Sequence, residues 1–121
     1  MKKVLVVDDS ETVRQQLGDA LSRAGLTVVE ARDGLDGLER VAEHDDLSVL
    51  ILDVNMPRMN GLDMLDKLKE DPKTARLPVL ILTTEAQSSM VARAKQAGAK
   101  AWLIKPVRMD LLVDVVQKLT H

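Results

Sequence analysis

The stretch Val4-Leu-Val-Val-Asp-Asp-Ser10 decides how the chain folds. Its four apolar residues, three of them β-branched, read as a short strand buried on both faces. The strand then runs straight into two adjacent carboxylates, where mutual repulsion and desolvation both cost free energy. A chain keeps such a pair only where something offsets that cost.

Working outward, four more apolar runs of the same kind follow: LTVVEA (26–31), LSVLIL (47–52), PVLILT (78–83) and AWLI (101–104). Between them lie longer stretches with helical spacing. Val13, Leu17, Leu21 and Ala24 form one stripe, ended by Gly25. Leu35, Leu38 and Ala42 form a second, and Leu62, Leu65 and Leu68 a third that stops at Asp71-Pro72. Met90, Val91, Ala94 and Ala97 form a fourth, ended by Gly98, and Leu111, Leu112, Val115, Val116 and Leu119 the last. Ser10 is placed to cap the first helix, with Glu11 in its first turn. The glycine and proline stops fall where helix C-termini belong. Strand and helix thus alternate five times, which predicts an α/β fold with a parallel sheet covered by helices on both faces.

The bulk numbers agree with one such domain spanning 1–121. The chain has 121 residues, a net charge of −2 and no cysteine. Disulfides and thiolate metal sites are therefore excluded. No basic stripe marks a nucleic-acid or anionic-membrane surface, and no apolar run reaches the about 18 residues of a spanning helix. With one Trp, no Phe and no Tyr, base-stacking platforms are absent as well. The expectation is a cytoplasmic protein with no direct nucleic-acid contact and no membrane insertion.

Parallel sheets of this kind carry their sites at the carboxyl ends of the strands, near the switch in strand order. Asp8 and Asp9 follow the first run, Asp53 and Asn55 the third, Thr83 and Thr84 close the fourth, and Lys105 and Pro106 follow the fifth. The second run ends less informatively in Ala31-Arg32-Asp33-Gly34. Singly, each has an ordinary reading: a helix cap, a turn former, a hydroxyl satisfying local backbone, a solvated lysine. Together they put three carboxylates, a hydroxyl and an ammonium on one edge. Clustered carboxylates need positive charge. Lys105 supplies one, and an all-oxygen, water-rich site suits Mg²⁺ or Mn²⁺ for more. Asp53 flanked by a divalent ion, a Thr and a Lys suits phosphoryl transfer, which needs positioning and electrostatics above all. Aspartate is a recognised covalent acceptor.

VLVVDDS, LDVNMPRMNG, LTTE and IKP, in that order and spacing, resemble the motifs of the response-regulator receiver family along the whole chain. The resemblance implies a flavodoxin-like, CheY-like doubly wound sheet of five strands in order 2-1-3-4-5. It implies Asp53 as phosphoacceptor and Mg²⁺ held by Asp9, Asp53 and the Asn55 carbonyl, with Asp8 acting through water. Thr83, seconded by Thr84, and Lys105 would contact the phosphoryl oxygens, and the Lys105–Pro106 bond would be cis. Trp102, on its own residues a partly buried packing group, becomes by resemblance a switch that turns inward with Thr83 on phosphorylation. Asn55 and Glu85 look like the rate-tuning pair of chemotaxis regulators that lose phosphate quickly. Two departures stand out. Val107 follows Lys105-Pro106 where Phe is common, and Trp102 replaces Tyr or Phe, so a hydrogen bond from a Tyr hydroxyl is expected to be lost.

The resemblance further implies a signalling protein that is no enzyme beyond its own phosphorylation and dephosphorylation. Its partners would be a sensor histidine kinase and a downstream target such as the flagellar motor switch or another effector. It would be a monomer, dimerisation on activation being an option. It would act alone or as a receiver cut from a larger regulator. A flavin carrier would need a Thr/Ser/Gly-rich phosphate loop and flanking aromatics. An aspartate-phosphatase hydrolase would need its second Asp two residues after the first. A phosphate-independent scaffold would be expected to have lost part of the acidic cluster, Thr83 or Lys105. His44 reads as solvated or as a helix C-terminal cation, His121 as a chain end, and Met56 and Met59 as loop packing. Arg93, Lys95, Lys100 and Arg108 read as solvated surface.

Overall fold

Every apolar run is a strand and every periodic stretch a helix in the structure, a computed structural model that describes residues 2–120; His121 lies outside the described residues. In chain order the elements are β1 (Lys3–Val7), α1 (Glu11–Arg23), β2 (Thr27–Ala31), α2 (Gly34–Glu43), β3 (Leu47–Leu52), α3 (Gly61–Glu70), β4 (Val79–Thr83), α4 (Ser88–Gln96), β5 (Ala101–Ile104) and α5 (Met109–Leu119). All strand pairs are parallel and the order is β2-β1-β3-β4-β5, as the resemblance implied. The chain winds outward in both directions from the β1–β3 pair, in which Val6 sits opposite Ile51 and Val7 opposite Leu52. Asp8 and Asp53 therefore leave the sheet side by side at the switch point.

Because side chains alternate along a strand, each central strand feeds two cores. Leu5, Val7, Leu50, Leu52 and Ile81 pack with Leu62, Met64, Leu65 and Leu68 of α3 and Ala94 of α4. Val4, Val6, Val49, Ile51, Leu80 and Leu82 pack with Leu17 and Leu21 of α1 and Leu112 and Val116 of α5. This two-sided burial explains why the strands read as unbroken apolar runs rather than alternating ones.

The helix ends form as their residues dictate. The Ser10 hydroxyl accepts from the Val13 amide and caps α1. Gly25 (φ 88°) and Gly98 (φ 92°) take the left-handed turn after α1 and α4, a conformation that costs glycine little.

Two expected stripes need correction. Leu35 and Ala42 do not face inward: Leu35 is 38% exposed, and Ala42 is exposed too. The inner side of α2 is instead Gly34 and Gly37, both buried, backed by Leu38 and Val41. The helix lies too close for side chains there, since a Cβ on Gly37 would fall 2.7 Å from Met64 Cε and 3.2 Å from Val7 Cγ2. In α5, Leu111 is 48% exposed while Leu112 is fully buried. Neighbours on a helix point about 100° apart, and the row through Leu112 and Val116 wins the core. Among the described residues, no helix is long and apolar enough to cross a membrane.

Candidate functional site

The carboxyl edge of the sheet gathers the acidic residues the sequence singled out. One carboxylate oxygen each from Asp8, Asp9 and Asp53 lies within 4.8 Å of the others. Asp8 and Asp53 are buried, at 2% and 7% exposure, whereas Asp9 faces solvent. Lys105, one residue past β5, reaches back across the edge. Its Nζ donates to Asp8 Oδ2 at 2.7 Å and to Asp53 Oδ2 at 2.9 Å. The ammonium thus supplies the first offset for the repulsion among these carboxylates.

That offset is incomplete. Burial pushes the Asp8 carboxyl above its usual range and the charge of Asp53 adds to this, although Lys105 and the Ser10 amide hydrogen-bond to it. Burial works against the Lys105 charge as well, but its bonds to the two carboxylates outweigh this and raise its pKa above 10.5. A site with three converging carboxylate oxygens and one ammonium still has room for positive charge. The donor set is hard oxygen throughout, which fits Mg²⁺ or Mn²⁺.

The remaining candidates fall into place around this centre. Thr83 is fully buried, and its hydroxyl accepts from the Glu85 amide at 3.3 Å. Thr84 is exposed and borders the same shallow groove as Lys105 and Pro106. Asn55 is exposed, with its amide 3.4 Å from Asp53 Oδ1. The Lys105–Pro106 bond is cis. Trp102 is half-buried against the core under α4. Its indole makes a hydrogen bond of its own, Nε1–H donating to the Glu85 carbonyl at 3.1 Å. Glu85 therefore touches Thr83 through its amide and Trp102 through its carbonyl.

Two surface readings also change. Arg93 joins α4 to α3, its Nη2 donating to Asp63 at 2.9 Å and Asp66 at 2.7 Å. His44 is the half-buried C-cap of α2, with Nδ1 3.4 Å from Lys3 Nζ.

The uninformative end of β2 proves otherwise. Asp33 is buried at 3% exposure and caps α2 by accepting from the Asp36 amide at 2.9 Å. Both its oxygens also receive the Arg58 guanidinium, Nε at 2.7 Å and Nη2 at 3.0 Å, which holds its carboxyl below the ordinary 3.8. Asp-Gly ahead of a periodic stretch is a capping signal and would have marked Asp33. The partnership with Arg58, 25 residues away, left no local trace.

Similarity to known proteins extends over nearly the whole chain. The family described as "Response regulator receiver domain" matches residues 4–117. The chemotaxis protein CheY1 of Helicobacter pylori is 38% identical over 116 residues, covering 95% of this chain and 94% of that protein. The chemotaxis protein CheY homolog of Campylobacter jejuni is 35% identical, covering 95% of this chain and 89% of its own. Among solved structures, chemotaxis protein CheY4 of Vibrio cholerae superposes with a TM-score of 0.91 at 35% identity, covering 98% of both chains.

Proposed function

Since this chain belongs to the response regulator receiver family, we propose that its acidic edge is the acceptor of a two-component phosphorylation switch, with Asp53 the residue that takes the phosphoryl group and residues 1–121 the receiver unit. The observation that carries this reading is the convergence of Asp8, Asp9 and Asp53 on one point, with Lys105 bridging two of them.

The chemistry follows from the positions. An Asp53 carboxylate oxygen attacks the phosphorus of a phosphohistidine or an acyl phosphate. The bond from phosphorus to the donor nitrogen or oxygen breaks, and the electron pair leaves with the donor. Lys105 already sits at Asp53 Oδ2 and is placed to follow the charge onto the phosphoryl oxygens. The Thr83 hydroxyl, at the end of the adjoining strand, is the neutral donor. Asp8, Asp9, Asp53 and the Asn55 carbonyl would hold Mg²⁺, which supplies charge neutralisation on the transferring group. Asn55 and Glu85, flanking the acceptor and Thr83, are placed to set how fast water removes the group.

Transmission would run from Thr83 through Glu85 to Trp102, since both contacts are formed and a phosphoryl group accepting the Thr83 hydroxyl proton would draw that side chain toward Asp53. The output face lies on α4, β5 and α5, where Ile104 (43%) and Leu111 (48%) are the large apolar side chains left most exposed. A two-state equilibrium biased by the phosphoryl group is sufficient. On this reading the protein is a chemotaxis-type regulator acting in the cytoplasm as a monomer. A histidine kinase loads it, and an effector such as a flagellar motor switch reads it; it is no enzyme beyond turning over its own phosphoryl group.

Trp102 is the chain's single tryptophan, so its emission reports on the switch. Beryllofluoride with Mg²⁺ is expected to change that emission in the wild type and leave Asp53→Asn unaltered. Unchanged emission in a wild type that binds beryllofluoride would cut the link from Asp53 to Trp102.

A further inference from the structure

The loop between Asp53 and α3 is tied down at both ends. Near the acceptor, the Gly61 amide donates to the Val54 carbonyl at 3.0 Å. At the far side, the Gly34 amide donates to the Met59 carbonyl at 2.9 Å, and Arg58 grips Asp33 with two hydrogen bonds. Asn55 lies between these ties. Arg58 pays for its grip with a left-handed backbone (φ 62°), uncommon for a residue with a side chain. Asp33 is buried, caps α2, and receives a two-pronged contact that a lysine cannot supply.

We propose that Arg58 is a positioning residue for phosphoryl transfer: its fork on Asp33 fastens the acceptor loop to the N-terminus of α2 and so holds the Asn55 carbonyl at the metal. The proposal rests on the reading of the acidic edge as a Mg²⁺-dependent acceptor. Neither residue touches the reacting atoms. Arg58 acts through the backbone of residues 55–58 as an outer partner of the metal site. Losing such a partner commonly weakens metal binding by about 10- to 100-fold.

The test is calorimetric titration with MgCl₂ on the full chain and on Arg58→Gly, Arg58→Lys, Asp33→Asn and the Arg58→Gly/Asp33→Asn double variant. Glycine accepts φ 62° without strain and asparagine still caps a helix, so both folds survive, which melting curves verify. Expected is a roughly tenfold loss of Mg²⁺ affinity in each single variant, the lower end of the outer-partner range. The lysine variant should fail to rescue, and the double variant should lose no more than the singles, because all break one contact. Mg²⁺ affinity within twofold of wild type in Arg58→Gly and Asp33→Asn would overturn the proposal. So would a double variant that loses the product of the single effects. A wild type that binds no Mg²⁺ would instead remove the acceptor reading itself, so the two failures are told apart by which protein shows them.

Discussion

Replacing Lys105 with Met is expected to slow phosphoryl uptake from acetyl phosphate by about 100-fold, the lower end of the cost of losing one oriented donor to developing charge. The side chain length is kept and the ammonium that bridges Asp8 and Asp53 is removed. Time courses of intact mass in Mg²⁺ read the rate; a variant loading as fast as wild type would show that Lys105 only neutralises the resting site. The same substitution has a signature in pH. The Lys105 pKa lies above 10.5 in the folded protein. A raised folded value contributes stability that is fully present below the unfolded value and lost as pH rises through the folded one. Wild type should therefore lose stability above pH 10.5 more steeply than Lys105→Met in urea titrations, and parallel losses would contradict the bridge.

The second large effect is steric. A Cβ on Gly61 would lie 2.0 Å from the Asp53 carbonyl oxygen and 3.2 Å from Val54 Cα. Both are backbone atoms beside the acceptor and have no flexible end to swing away. Gly61→Ala is expected to cost about 3 kcal/mol, the upper end for overpacking, or roughly 10 °C in melting temperature. Gly18, inside α1, has nothing within 4 Å of its Cβ direction, so Gly18→Ala should stabilise by about 1 kcal/mol. The same substitution with opposite signs separates contact from propensity. Two equal shifts would refute the close approach.

What the sequence reveals follows from which forces leave local marks. Two-sided burial writes itself as an unbroken apolar run, so β3 and β5 are legible to the residue and the other strands within one. The parallel topology then brings Asp8, Asp53, Thr83 and Lys105 to one edge, which is why residues far apart in the chain could be read as one site. The inner face of α2 was illegible because Gly34 and Gly37 bury backbone rather than side chains, and apolar periodicity cannot register what is missing. Leu111 and Leu112 look alike in sequence, and only the packing of α5 beside α1 on one face of the sheet separates them. The Asp33–Arg58 pair escaped because ion pairs have no period. The donor role of Trp102 escaped because an indole N–H matters only once the Glu85 carbonyl is seen beneath it.

The central claim is that Asp53 accepts a phosphoryl group. Its most direct test is the intact mass of the protein after incubation with acetyl phosphate, in Mg²⁺ and in EDTA, beside Asp53→Asn. The account predicts the gain of a single phosphoryl unit in wild type with Mg²⁺, and no gain with EDTA or in the variant. A folded wild type that gains nothing in Mg²⁺, or an Asp53→Asn protein that gains as much, would contradict it.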